Sequence, residues 1–366
     1  MDEMNIRPRK SLIDSDGLIR PKTFEAIPRS HNMLWLDKNE NLDPELSRII
    51  RTITADLPST AYSSYPEAAL LYKKLASWVG VNPECLMLTP GSDGAIRLIF
   101  EVFIDHGDYV IHTNPTFAMY PIYARMFGAK AITIDYKNGA DGPYLDINEL
   151  INLIQSKAPK MLCLPNPDSP TGAVLNPHAL REILMECEKV GTLLLIDEAY
   201  HPFYDWTAVP WVFNSSNLIV GRTFSKAWGA AGVRMGYAVA DPGIISLLHK
   251  MRPMYEVGSL NIAIIERLLD YSAAMEKSVC NMHLSKQYFA DEMRSLGFHV
   301  NQCEGNFIHV AFGSRYLQVE AALKNKVLYK ANFDHSALNT YSRFSIGSKE
   351  EMTYVVGLIK SGIIKG

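Results

Sequence analysis

Apolar residues at Ala95, Ile96, Leu98, Ile99, Val102 and Phe103 recur at the spacing of one helix face, which predicts a helix from Ser92 onward. The short run Tyr109–His112 reads as a strand, Pro115 marks a turn, and a second helical stretch continues through Met126. The alternation persists. Strands are predicted at Ala131–Ile134, Met161–Leu164, Leu193–Ile196, Leu218–Gly221 and Tyr237–Ala240, with helices from Ile147 to Gln155 and from His178 to Lys189. These strand runs are apolar throughout and do not alternate with polar residues, the pattern of strands covered on both faces by helices. The expected fold class is therefore α/β, a large domain whose mostly parallel sheet lies between helices.

After Pro242 the rhythm changes to longer helices, including Glu276 to Ser295, with strands at Phe307–Val310 and Ser342–Ile346, which predicts a smaller α+β C-terminal domain. Ahead of the first clear period lie Pro8, Pro21 and Pro28, with Pro44 just beyond, which predicts an irregular arm. The expected organisation is an arm over 1–40, a large domain over 41–245 and a small one over 246–366.

Composition narrows the function classes. The 366 residues are 48% hydrophobic and 20% charged, a globular balance. Lys and Arg (36) nearly match Asp and Glu (39), and no basic run exceeds Arg7–Lys10, so nucleic acid is not the expected partner. Five cysteines are widely spaced with no Cys-x-x-Cys, which predicts reduced thiols and no zinc or redox motif. Acids at the N-terminus and the lack of an ~18-residue apolar run predict a cytoplasmic protein without a membrane span.

In an open α/β sheet, chemistry collects at the carboxyl ends of the strands. Following successive strands come Pro165–Gly172, then Asp197-Glu198-Ala199-Tyr200, then Arg222-Thr223-Phe224-Ser225-Lys226. Lys226 reads either as a solvated loop lysine or as a Schiff-base nucleophile. Thr223, Ser225 and Arg234 around it would make a cup for a phosphate dianion. Asp197 is either a helix N-cap or the partner of a protonated ring nitrogen, and Tyr200 either packs at the sheet edge or reaches a ring oxygen. Gly91-Ser92-Asp93-Gly94 opens a helix, where capping and anion binding both account for the residues. Phe117 is core or a stacking ring.

Taken in order, these segments resemble the fold-type I pyridoxal-phosphate aminotransferases (aspartate aminotransferase-like), most closely the histidinol-phosphate aminotransferase branch. The likeness runs from Leu36–Asn41 through Ser64-Tyr65-Pro66, Pro90–Asp93, Pro115–Phe117, Pro170–Gly172, Asp197–Tyr200 and Ser225-Lys226 to Arg343–Gly347. It implies that Lys226 binds pyridoxal 5′-phosphate covalently and then moves a proton between substrate and cofactor. It further implies that Asp197 pairs with the pyridine nitrogen, Tyr200 with the ring oxygen, and that Phe117 stacks on the ring. Ser92, Asp93, Thr223, Ser225 and Arg234 would line the phosphate site, and Tyr65 would reach the cofactor of a second copy, making a homodimer. Arg343 would bind the anionic end of the substrate.

Three positions depart from the family. Ser169, with Asp168 before it, stands where an asparagine usually meets the ring oxygen. Lys330, thirteen positions before Arg343, stands where an arginine commonly binds the substrate phosphate, and Asn41 where some members place a substrate-side tyrosine. The implied reaction moves an amino group between glutamate/2-oxoglutarate and a small phosphorylated amino or keto compound, histidinol phosphate being the default. Alternatives are an aromatic amino acid aminotransferase, a decarboxylase of a phosphorylated amino acid, and a non-catalytic cofactor binder. A nicotinamide dehydrogenase is disfavoured because no Gly-x-Gly-x-x-Gly follows the first strand.

Overall fold

The structure is a computed structural model, and it describes residues 9–13, 28–301 and 303–364. Most of the expected arm lies outside the described residues. Within it, Lys10–Ile13 forms a helical turn and Leu34–Trp35 forms a short strand, so the prolines do not leave this segment wholly irregular.

The central sheet is built from β1 (Leu86–Thr89), β2 (Tyr109–Asn114), β3 (Lys130–Asp135), β4 (Met161–Pro165), β5 (Leu193–Asp197), β6 (Leu218–Thr223) and β7 (Gly236–Ala240). Their order across the sheet is β1-β7-β6-β5-β4-β2-β3. Pairings from β6 through β3 are parallel, whereas β7 runs antiparallel to both β6 and β1. Strand β1 has no counterpart in the sequence reading, since four residues pressed between a turn and a helix carry too little period to be seen.

Neighbouring residues of each strand point to opposite faces and both faces are covered. Leu194 and Ile196 join one buried cluster with Leu180, Ile183 and Leu184, while Leu193 and Leu195 join the other with Ile96, Ile99 and Phe100. That double burial is why the runs contain no polar alternation. Each such leucine contributes about 1.5–3 kcal/mol through burial.

The helices are α1 (Pro44–Ala55), α2 (Ala69–Val79), α3 (Gly91–Phe103), α4 (Met119–Phe127), α5 (Ile147–Lys157), α6 (Pro177–Val190), α7 (Pro242–Met251), α8 (Ser259–Leu268), α9 (Ser272–Ser295), α10 (Tyr316–Leu323) and α11 (Lys349–Ile364). Several starts follow local chemistry. Asp43, Asp146 and Asn176 accept hydrogen bonds from main-chain N–H groups of α1, α5 and α6, and Pro44 and Pro177 occupy first-turn positions that need no N–H. Helix α1 packs on α8 and α9, which ties the segment after the arm to chain beyond Pro242.

A second, antiparallel sheet comprises β8 (His299–Asn301), β9 (Phe307–Ala311) and β10 (Ser342–Ser345), in that order. Leu34–Trp35 pairs in parallel with Val327–Leu328, and the Ser345 N–H donates to the Leu36 carbonyl. These bonds deliver Asp37–Glu40 to the place where the two sheets meet. Among the described residues no helix is long and apolar enough to cross a membrane.

Candidate active site

A cavity of about 600 Å³ opens at the carboxyl ends of β4, β5 and β6, within the size range of small-molecule sites. Its lining includes Ser92, Asp93, Phe117, Ser169, Asp197, Tyr200, Thr223, Ser225, Lys226, Arg234 and Arg343, eleven of the fifteen residues expected from the sequence.

At one end lies an anion cradle. Thr223 Oγ1 donates to Ser225 Oγ at 2.9 Å, and Arg234 Nη1 donates to the same oxygen at 3.3 Å. The N-terminus of α3 faces them, its first turn offering free N–H groups and the positive end of the helix dipole. Close approach is possible because two positions lack a Cβ. One added at Gly91 would stand 2.7 Å from Arg234 Nη2, and one at Gly236 would stand 2.5 Å from the Ser92 nitrogen. Two hydroxyls, a guanidinium and a helix terminus form the donor set that a phosphate ester requires.

Asp197 ends β5 and is nearly buried. It accepts from Tyr120 Oη at 2.9 Å and from the Ala199 N–H at 3.0 Å, and burial pushes its carboxyl up to about 6. A cationic ring nitrogen would relieve that burial. Behind it Glu198 forms a buried ion pair with Arg222 at 2.9 Å and accepts from the Ala208 N–H, which fixes the turn carrying Asp197 and Tyr200. Lys226 is half-buried on the cavity floor, where its Nζ donates to the Lys38 carbonyl at 2.8 Å. Burial lowers its pKa, so a neutral, nucleophilic amine is more accessible than for a lysine in water.

The opposite end is assembled from distant segments. Arg343 on β10 is buried, its Nη2 donates to the Asp37 carbonyl at 3.0 Å, and its Nε has no partner. Arg29 bridges Asp37 at 3.1 Å and Glu40 at 2.7 Å, which holds Glu40 below the usual carboxylate range. Asn39 Nδ2 donates to Tyr200 Oη at 2.8 Å.

Four expected residues are not brought to the cavity. Asp168 turns into the protein, where it accepts from Thr171 N–H and Oγ1 and is pushed up to about 7 by burial. It staples the turn and leaves only Ser169 facing the space. Asn41 is buried on the far side, donating to the Ala227 carbonyl and to Ser278 Oγ. Lys330 pairs main chain to main chain with Arg343, but its side chain is exposed and leans toward Phe333. Tyr65 is 76% exposed and stacks on Tyr255, with ring centroids 4.5 Å apart.

Tyr120, Asn39, Asp37, Lys38 and Glu40 were not anticipated as site residues. The polar run after Leu36 was the available signal for four of them, and the position of Tyr120 one turn after Phe117 was the signal for the fifth.

A family model described as aminotransferase class I and II matches residues 31–359. The chain belongs to this aminotransferase family. A histidinol-phosphate aminotransferase from Thermoanaerobacter sp. (strain X514) is 31% identical over 343 residues, covering 93% of this chain and 95% of its own. The fold is shared with the crystal structure of histidinol-phosphate aminotransferase from Sinorhizobium meliloti in complex with pyridoxal-5′-phosphate, at TM-score 0.77, 21% identity and 91% coverage of both chains. It is also shared with an L-threonine-O-3-phosphate decarboxylase from Porphyromonas gingivalis, at TM-score 0.75, 18% identity, 91% of this chain and 100% of that one. The aminotransferase therefore has the aspartate aminotransferase-like fold type I, and pyridoxal 5′-phosphate is its cofactor. The cradle at α3, the buried carboxylate and the lysine fit the phosphate, ring nitrogen and aldehyde of that group.

Proposed function

We propose that this transaminase moves an amino group between glutamate/2-oxoglutarate and a small phosphorylated amino compound, with histidinol phosphate the first substrate to test. The observation that carries this reading is one cavity with a cationic group at each end. Arg234 sits beside the helix terminus at one end and Arg343, with an unpartnered Nε, sits at the other. The first end suits the cofactor phosphate and leaves the second for an anionic substrate group. The similarity to a histidinol-phosphate aminotransferase over 93% of the chain supports the choice of substrate.

When bound, pyridoxal phosphate supplies an electron sink for the bond broken at the substrate Cα. Lys226 would hold the cofactor through its amine, and the same amine, when free, would serve as the base that takes the substrate Cα proton and as the acid that gives it back. Asp197, steadied by Tyr120 and the Ala199 N–H, would keep a proton on the ring nitrogen. Tyr200 would offer its O–H to the ring oxygen, Phe117 would supply an apolar surface for the ring, and Ser92, Asp93, Thr223, Ser225 and Arg234 would hold the phosphate. Arg343 orients the substrate through its fork of donors.

The working unit on this reading is a homodimer. Tyr65 and Tyr255, with Met254 beside them, are exposed and suit contact with a second copy, where Tyr65 would reach the other cofactor. Residues 41–245 form the large cofactor domain and 246–366 the small one. The free cysteines are consistent with a cytoplasmic setting.

The test is the visible absorption of the purified protein before and after L-glutamate and, in a separate sample, before and after histidinol phosphate. Bleaching by both and recovery with 2-oxoglutarate is the expected result. A band that ignores histidinol phosphate removes that substrate, and release of carbon dioxide from the glutamate sample replaces transamination by decarboxylation.

A further inference from the structure

Asn39 is 2% exposed and lies in the left-handed region, φ 55°. Its main chain is pinned on both sides. The Asn39 N–H donates to Ser345 Oγ at 2.8 Å, and its carbonyl accepts from Asn306 Nδ2 at 3.0 Å. Its side-chain orientation is also determined, because Ser345 Oγ donates to Asn39 Oδ1 at 3.2 Å. With Oδ1 committed to Ser345, the amide must present Nδ2 to Tyr200, and the phenol oxygen there accepts at 2.8 Å. A phenol has one proton to donate. Since Asn39 Nδ2 brings its own, the Tyr200 proton is left for another acceptor, and Ser169 Oγ across the cavity, at 3.4 Å, is the one in reach.

We infer that Asn39 is a positioning residue for Tyr200, making the phenol a donor toward the cofactor's ring oxygen and strengthening that donation by hydrogen bonding to the phenol itself. This rests on the ring-oxygen role proposed for Tyr200. Successive hydrogen bonds polarise one another, so a phenol that accepts from an amide is a better donor. The arrangement answers a local deficit. Ser169 is short, and Asp168 beside it faces the protein, so the 168–169 turn supplies no amide to the ring oxygen. Asn39 supplies its amide one bond further out, from a segment anchored on β10 beside Arg343. The other charged groups near Tyr200 are Lys226, whose Nζ is 5.8 Å from the ring centroid, and Arg343. Neither takes the place of a donor on the phenol oxygen.

The experiment is a pH titration of the visible band of the cofactor-loaded protein, with cofactor affinity measured on the apo-protein by equilibrium dialysis. The variants are Asn39→Gly, Tyr200→Phe and the double substitution, glycine being chosen because it tolerates φ 55°. Ser345→Ala is the second route, since it frees the Asn39 amide to rotate without removing it. Loss of a donor destabilises the anionic ring oxygen, so the bound cofactor holds its proton to higher pH. The expected result is an upward shift of the midpoint by roughly half to one pH unit in Asn39→Gly, the size of one hydrogen bond. Ser345→Ala should shift it less in the same direction, and the double variant should titrate no higher than Tyr200→Phe alone. A shift in Tyr200→Phe with none in Asn39→Gly overturns the inference and leaves the role of Tyr200 standing. Additive shifts overturn it too, because Asn39 would then act independently of the phenol. No shift in Tyr200→Phe removes the ring-oxygen role itself.

Discussion

At the Arg234 end of the cavity every donor comes from a strand end or adjoining turn of the seven-stranded sheet, and Gly236 pairs directly with both Thr89 and Thr223. At the Arg343 end the groups come from Arg29, Asp37–Glu40 and β10, brought together by a two-residue strand pair that joins Leu34–Trp35 to Val327–Leu328. The first end is rigid by construction, with backbone against backbone and no room for a Cβ. The second depends on a strap whose links are side chains and single hydrogen bonds. This contrast suits a site that holds its cofactor permanently and exchanges its substrates.

The largest effect should fall where the two ends meet. Lys226→Ala removes the amine to which the proposed function assigns the proton transfer, and turnover should fall about 10²–10⁴-fold. Asp197→Asn, which cannot hold a positive ring nitrogen in the same way, should cause a loss in the same range. Single-turnover absorbance with glutamate separates this from binding, and near-normal turnover in either variant would remove the mechanism.

The next test asks whether the ends are separable. Gly236→Ala places a Cβ against the backbone of Gly91 and Ser92, which costs about 1–3 kcal/mol and should weaken cofactor binding while leaving the KM of the loaded enzyme unchanged. Arg343→Lys keeps a charge and loses the fork, so KM should rise about tenfold with cofactor affinity unaltered. If either variant moves both quantities together, the two ends are one mechanical unit.

Legibility followed the same division. The Arg234 end could be read because β4, β5 and β6 are consecutive in sequence and adjacent in space, so the residues after each run arrive at one edge. Asp197, Thr223, Ser225 and Lys226 needed only that rule. The Arg343 end could not be built this way. Leu34–Trp35 is too short for a period, and its partner lies almost three hundred residues on. Asn41, which packs behind the site, was expected only from the family resemblance, and no local pattern distinguished Asn39, which enters it. Lys330 was expected from its distance to Arg343 along the chain. The antiparallel bridge does bring its backbone there while sending its side chain outward. The antiparallel sense of β7 was equally hidden, since a buried apolar run reads the same in both directions.

A smaller effect would sharpen the picture of the strap. Arg29 binds both Asp37 and Glu40 and lies over Trp35, 4.2 Å from the ring centroid. Arg29→Ala should loosen the segment that carries the Asp37 carbonyl to Arg343. We expect KM to rise about three- to tenfold, in keeping with the loss of a partly buried ion pair, while the cofactor spectrum and affinity stay as they were. A changed spectrum in this variant would mean that the strap also governs the cofactor end.

The smallest effect concerns the wall between the two ends, where Asp168 staples the turn that presents Ser169. Its carboxyl is pushed up to about 7 in the folded chain by burial, against an ordinary value near 4 when unfolded. Between those values the folded state binds more protons, so the stability this group contributes is complete below about pH 4 and is lost as pH rises through 7. Asparagine at 168 keeps an acceptor for the Thr171 N–H and does not titrate. The melting temperature of Asp168→Asn minus that of the parent should therefore increase from pH 5 to pH 8, by on the order of a few degrees. Melts of the apo-protein across that range check it. A difference that stays constant with pH would mean that Asp168 is ionised throughout, stabilised as a carboxylate by the hydrogen bonds that Thr171 and Thr113 donate to it, and the turn would then be held by a carboxylate at every working pH.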